Sequence, residues 1–275
     1  MNDFFESWRK TPALSLHQLT MLDASPRDLI ETAQTLACTS VCIFTYVPEA
    51  ARHIYPLVGP DNLSETRDAL IAAGLTISNL EVFPLDGKTP LQDFVPSLKI
   101  GAALGAPRLT AHIHDADTAG AITRFAALCD LAAHHGLDVG LEFNAFSAVK
   151  TIAEAAAIIH AAGRANGRLV LDMLHLIRSG GSPKDVGANA PLIDFAQLCD
   201  GPAHIAEDGR WREAVGERYL PGTGDFPLKQ ILAALRPGTL IDVEVPQTAA
   251  RKAGIPAPER ARRAVAASRA LLQGA

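Results

Sequence analysis

Residues 138–172, DVGLEFNAFSAVKTIAEAAAIIHAAGRANGRLVLD, read as strand, helix and strand in one pass. Asp138–Glu142 and Arg168–Asp172 are short, mostly apolar runs, and each closes on a carboxylate. Between them Ala148–Ala162 is rich in alanine and isoleucine, and Gly163 follows where a glycine ends a helix. A parallel strand buried on both faces gains nothing from an anionic last residue. The same ending recurs downstream, as Gln197 in PLIDFAQLCD and Glu244 in GTLIDVEVP. Four oxygen-bearing side chains closing four successive strands call for a shared counter-ion, and a divalent metal fits.

Outward from this stretch the alternation continues to both ends. Strand-like runs are Leu14–Leu19, Ser40–Phe44, Thr76–Val82, Arg108–His112, Asp138–Glu142, Arg168–Asp172, Ile193–Gln197 and Thr239–Glu244. Helical stretches are Pro26–Ala37, Asn62–Ala73, Leu91–Leu104, Ala119–His135, Ala148–Ala162, a weaker one near Pro183–Gly187, Pro227–Leu235 and Pro258–Leu272. Ser25-Pro26 and Ala257-Pro258 place proline at a first helical position, and Gly74, Gly105 and Gly136 stand just past helix ends. Eight strands alternating with eight helices predict a (β/α)8 TIM barrel, with residues 1–275 as one domain. An open doubly wound sheet usually carries a glycine-rich phosphate turn after its first strand, and HQLTMLDASP has none.

Composition sets the outer bounds. Hydrophobic residues make up 48% of the 275, ample for a large core. A net charge of −5 argues against nucleic-acid or acidic-membrane partners. The opening MNDFFESWRKTPAL lacks the apolar stretch of a signal peptide, and no run is long enough to span a membrane. Cys38, Cys42, Cys129 and Cys199 form no CxxC pair and read as reduced core thiols of a cytoplasmic protein. The expected partner is a small-molecule substrate, with a homodimer plausible through the outer helices.

Alternation pairs Gly140 with Glu142, Val170 with Asp172 and Phe195 with Gln197 on one strand face. With those faces inward, Glu142, Asp172, Gln197 and Glu244 occupy four neighbouring strand ends. Strands about 4.8 Å apart let such an arc meet one ion at roughly 2.0–2.4 Å. An all-oxygen set favours Mn2+ or Mg2+, with Co2+ or Zn2+ as further candidates. His175, three residues after Asp172, is placed for proton transfer or substrate contact. His112, and less clearly His114, closes the fourth strand on the same rim. Glu81 fits that rim too, or is a plain surface acid, and Cys199 and Asp200 read as loop-shaping.

Two connections exceed the usual length, Thr45 to about Asp61 and Leu198 to Asp225, and both lie on the face where barrel enzymes hold their sites. Tyr46, His53, Tyr55 and Trp211 from these loops, with Phe83 and Phe143, are candidates for an aromatic pocket wall. Arg218, or Arg52, could take a substrate oxygen by a bidentate contact. PGTG at 221–224 would supply the turn that brings Arg218 back to the rim.

The blocks LEFNAFSAVKTIAEAAAII, LVLDMLHLIRSGG, FAQLCDGP, ERYLPGTGDFPL and DVEVP together resemble the sugar phosphate isomerase/epimerase family, the xylose-isomerase-like TIM barrels. The resemblance runs over about residues 14–273 and is strongest from Gly140 to Pro246. It implies a divalent metal held by Glu142, Asp172, Gln197 and Glu244, with His175 and Arg218 at further family positions. Gln197, where ketose epimerases usually have histidine, is similar to the dehydroshikimate dehydratases. The implied chemistry is proton removal beside a carbonyl through an enediolate, with Glu142, His175 and Glu244 as catalytic groups. Return of the proton gives an isomerase or epimerase of a polyhydroxy carbonyl compound. Loss of a β-hydroxyl gives instead a lyase acting on a cyclic hydroxyketone such as 3-dehydroshikimate. A barrel that keeps the fold and only binds is the third reading.

Overall fold

A computed structural model describes residues 13–274. The reading of the N-terminal segment as lacking a signal peptide falls mainly on residues 1–12, outside those described. Eight parallel strands close in sequence order into one barrel: β1 (Leu14–His17), β2 (Ser40–Phe44), β3 (Thr76–Leu85), β4 (Arg108–Ile113), β5 (Asp138–Glu142), β6 (Gly167–Asp172), β7 (Ile193–Leu198) and β8 (Leu240–Val243). β1 pairs with both β2 and β8, which closes the sheet without a free edge. Strands are buried almost throughout, as a sheet covered by helices outside and side chains inside requires.

The helices begin where the chain supplies caps. Ser25 and Asp28 form a reciprocal capping box ahead of α1 (Pro26–Thr35), and Thr151 and Glu154 do the same for α5 (Ile152–Ala162). α2 (Leu63–Ala73) and α5 stop at Gly74 and Gly163, both in the left-handed region. The remaining outer helices are α3 (Val95–Ala103), α4 (Thr118–Ala133), α7 (Pro183–Asn189), α9 (Leu228–Ala234) and α11 (Ala257–Gln273). Three short helices escaped the sequence reading: α6 (Met173–Arg178), α8 (Arg210–Gly216) and α10 (Thr248–Lys252). Each follows the carboxyl end of a strand, so they build the mouth of the barrel. The first strand ends at His17 rather than Leu19, because residues Gln18–Met21 turn into a 3-10 helix.

Inside the barrel, inward positions alternate along each strand. Gly140 is required there: a Cβ on it would lie 2.4 Å from Val170 Cγ2, and that methyl already fills the space. One step toward the carboxyl ends stands a ring from all eight strands or their ends: His17, Phe44, Glu81, His112, Glu142, Asp172, Gln197 and Glu244. All eight line one cavity of about 240 Å³. None of the helices described is long and apolar enough to cross a membrane.

Candidate active site

Strand register sets the order of the ring. His112 pairs with Glu142, Asp172 with Gln197, and Phe44 with Glu81. Leu16 pairs with Val243, so the next residues, His17 and Glu244, become neighbours across the β1–β8 seam. The four oxygen ligands expected from sequence therefore meet on one arc, and all are buried. Oxygen and nitrogen donors of Glu142, Asp172 and His175 lie within 4.8 Å of one another.

Arg218 stands at the centre of this arc. Its Nη1 donates to Asp172 Oδ2 at 2.7 Å, its Nη2 lies 2.8 Å from Glu244 Oε1, and its Nε donates to the Ala214 carbonyl at 2.9 Å. One guanidinium cannot offset the burial of two carboxylates. Burial alone would raise the Asp172 carboxyl, but Arg218, the field of His175 and a backbone N–H hold it below the ordinary range. Two N–H groups at the start of α6, those of Leu174 and His175, donate to Asp172 Oδ1. Glu244 has no such help. Burial pushes its carboxyl up to about 8 against the pull of Arg218 and His17, and its Oε2 is buried with no partner. Gln197 Oε1 is also buried and unpartnered, while its Nε2 lies 3.3 Å from Glu81 Oε1. Two orphaned oxygens, on Glu244 and Gln197, beside the clustered donors of Glu142, Asp172 and His175 fit a divalent cation on this arc.

Histidines complete the chemistry. Half-buried His112 hydrogen-bonds Glu142 Oε2 through Nε2. Burial alone would lower its pKa, but the Glu142 carboxylate outweighs that and raises it. His175 sits on α6 with Nε2 3.8 Å from Asp172 Oδ2, and burial lowers its pKa and favours the neutral ring. Opposite them, His17 Nδ1 accepts the Leu19 N–H at 2.9 Å. Burial opposes charge on His17, but Glu244, Asp242 and Glu81 push its pKa up to about 9. The Leu19 donor works against that charge, because a proton on Nδ1 would face another N–H. With Nδ1 accepting that N–H, the proton of the neutral ring sits on Nε2.

The mouth is shaped by the segment after β7. Asp200 is its hub: one carboxylate accepts the backbone N–H groups of Gly201, Gly222, Gly224 and Phe226 at 2.8–3.1 Å. Gly222 adopts φ +82°, and a Cβ on Gly224 would meet Asp200 Oδ1 and the Gly201 carbonyl at 2.4 Å. The PGTG turn folds around Asp200, while Arg218, upstream of it, is held at the rim by its own N–H on the Pro246 carbonyl and by the Tyr219–Asp200 backbone pair. α8 is pinned by a buried bidentate pair, Arg178 Nε to Glu213 Oε2 at 2.7 Å and Nη2 to Oε1 at 2.5 Å. It carries Trp211, which meets Phe146 edge to face at 5.0 Å over the cavity.

The sequence matches the xylose isomerase-like TIM barrel model over residues 30–271. The chain belongs to this family. No curated protein matches it in sequence. Among solved structures, a zinc-binding IOLI protein is 18% identical, with a TM-score of 0.78 over 95% of this chain and 98% of that one. D-psicose 3-epimerase from Clostridium cellulolyticum H10, determined with D-tagatose, is 15% identical, with a TM-score of 0.72 over 95% and 99%. The probable 3-DHS dehydratase AsbF from Bacillus anthracis is also 15% identical, with a TM-score of 0.69 over 90% and 97%. At such identities the likeness is one of fold.

Within this family barrel several expected site residues move. Tyr46 does not reach the cavity: the chain leaves β2 at Phe44, and the ring packs on Phe83 at 5.7 Å and Phe94 at 4.8 Å. His53 and Arg52 are exposed on the loop after β2, away from the lining, and Phe83 and Phe143 are core. Tyr55 and Trp211 do line the cavity, joined by Phe44 and Phe146. Arg218 reaches the rim, but its guanidinium is committed to Asp172 and Glu244 rather than left open for substrate. His17 and Phe44 were missed, although the alternation that selected Glu142 applies equally to β1 and β2. Glu81, left between rim and surface, is buried in the ring.

Proposed function

We propose that the chain is a divalent-metal-dependent isomerase or epimerase of an uncharged polyhydroxy carbonyl compound. The observation that carries this reading is the charge of the cavity. Four carboxylates line it, and the one lysine or arginine among its lining residues, Arg218, is already paired with two of them. The lining leaves no free lysine or arginine to pair with a phosphate or carboxylate on the substrate, whereas hydroxyl groups find acceptors and donors on every side. This disfavours an anionic cyclic substrate such as 3-dehydroshikimate. A bound divalent ion would supply Lewis-acid polarisation of a substrate carbonyl oxygen. In this reading Glu244 takes a proton from the neighbouring carbon. Glu142, paired with His112, is placed to return one from the other side of the ring of ligands. His175, neutral and beside Asp172, orients a substrate hydroxyl. Phe146 and Trp211 cover the reacting carbon from water with an apolar lip.

The test is hydrogen exchange at carbon. Metal-stripped protein reloaded with Mn2+, Mg2+, Co2+ or Zn2+ is incubated with neutral ketohexoses in D2O, and products are read by NMR and mass spectrometry. Deuterium entering the carbon beside the carbonyl without loss of water is the expected result. Loss of water would move the reaction to the lyase class. Absence of exchange with every metal and ketose rejects the reading.

A further inference from the structure

The β1–β3 side of the cavity holds a donor and an acceptor that neither the metal ligands nor the proton transfers employ. His17 Nε2 is buried without a partner. It lies 3.7 Å from Glu81 Oε1 and 3.9 Å from Glu244 Oε2, both beyond hydrogen-bond reach. The Leu19 N–H on Nδ1 leaves Nε2 as the protonated nitrogen, so it cannot offer a lone pair to a metal. A buried N–H aimed between carboxylates it cannot reach is a donor waiting for an oxygen.

Glu81 is the matching acceptor. Asn79 Nδ2 donates to its Oε1 at 2.8 Å, Gln197 Nε2 approaches the same atom at 3.3 Å, and the Cys42 thiol faces it at 3.9 Å. Among the described residues every hydrogen bond that Glu81 accepts ends on Oε1. The carboxylate is thus held in one orientation while Oε2 keeps its acceptor capacity.

We propose that His17 and Glu81 form a hydroxyl-binding subsite on the β1–β3 side of the cavity, beside Glu244 and Gln197. His17 Nε2–H donates to the hydroxyl oxygen, and the hydroxyl proton is donated to Glu81 Oε2. The pairing selects an alcohol: a deoxy carbon satisfies neither group, a carbonyl leaves Glu81 without a donor, and an anion is repelled by it. The inference rests on the proposed function, because it assigns one contact of that same substrate.

Binding of galactitol, a neutral polyol that cannot be epimerised, tests the subsite without turnover. Calorimetry is done on Mn2+-loaded wild type and on the His17→Phe, Glu81→Gln and double variants. Each single change is expected to raise Kd about ten-fold, the scale of one hydrogen bond to a charged or buried partner. The double change is expected to cost little more than either, since both groups hold one hydroxyl. His17→Gln, which keeps a donor at similar reach, restores most of the affinity, and metal content stays at the wild-type level. Should His17→Phe fail to fold, Glu81→Gln and His17→Gln carry the comparison. Unchanged Kd in the loss variants, loss of metal with them, or a wild type that binds no galactitol overturns the subsite. Deuterium exchange by a wild type whose polyol binding ignores both residues removes the subsite alone. Subsite-dependent binding without exchange removes the proposed reaction alone.

Discussion

Arg218 and the acids around it concentrate the electrostatic tension of this molecule. Asp172 and Glu244 are nearly inaccessible and share one guanidinium. Removing it strands two buried carboxylates, and breaking such a pair costs about 3–5 kcal/mol. Arg218→Ala is therefore expected to lower the unfolding free energy of metal-stripped protein by about that amount, and by clearly less once a divalent ion is bound. Denaturant titration with and without metal measures both, and equal losses would mean that Arg218 and the ion do not share ligands. Glu142→Gln removes one oxygen charge from the proposed set while keeping its shape. Metal analysis of the purified variant is expected to show reduced occupancy, and unaltered content would place the ion elsewhere. The acids at 142, 172 and 244 and the amide at 197 were legible in the sequence because period-two alternation puts each on the inward strand face. The commitment of Arg218 was not, since Asp172 and Glu244 lie far from it along the chain.

At the scale of elements, the segment from Leu198 to Asp225 is a folded cover rather than an excursion. Its parts hold each other through backbone N–H groups gathered on Asp200 and through the Arg178–Glu213 pair that docks α8. Gly224 is its tightest point, because both atoms that a Cβ would strike belong to the hub. Gly224→Ala is expected to cost about 1–3 kcal/mol, the range for overpacking a filled site. The loosened cover should speed tryptic cleavage after Arg212, which is exposed on α8. A cleavage rate equal to wild type would show that the turn tolerates the methyl. The sequence showed that this connection was too long and held a PGTG turn. It could not show α8, because seven residues carry too little periodicity to separate a helix from a loop.

At the scale of the whole molecule, the closed barrel puts all four thiols out of reach. Cys38, Cys42, Cys129 and Cys199 are buried and unpaired. Burial pushes Cys38 and Cys129 up to about 12, and Cys42 and Cys199 are raised as well. Native protein at pH 8 is expected to leave an aromatic disulfide reagent unreacted, and four thiols should appear once denaturant opens the chain. A thiol that reacts in the folded protein contradicts the closed packing. The strand–helix rhythm, the helix caps and the rim acids were decided along the chain, because each depends on spacing or on neighbours a few residues away. Which of those acids are paired, which loop aromatics face the cavity, and that His17 and Glu81 face one another were decided only by closure of the sheet. Barrel closure brings β1 against β8 and sets the register across the seam, and no local pattern encodes a contact between residues so far apart in sequence.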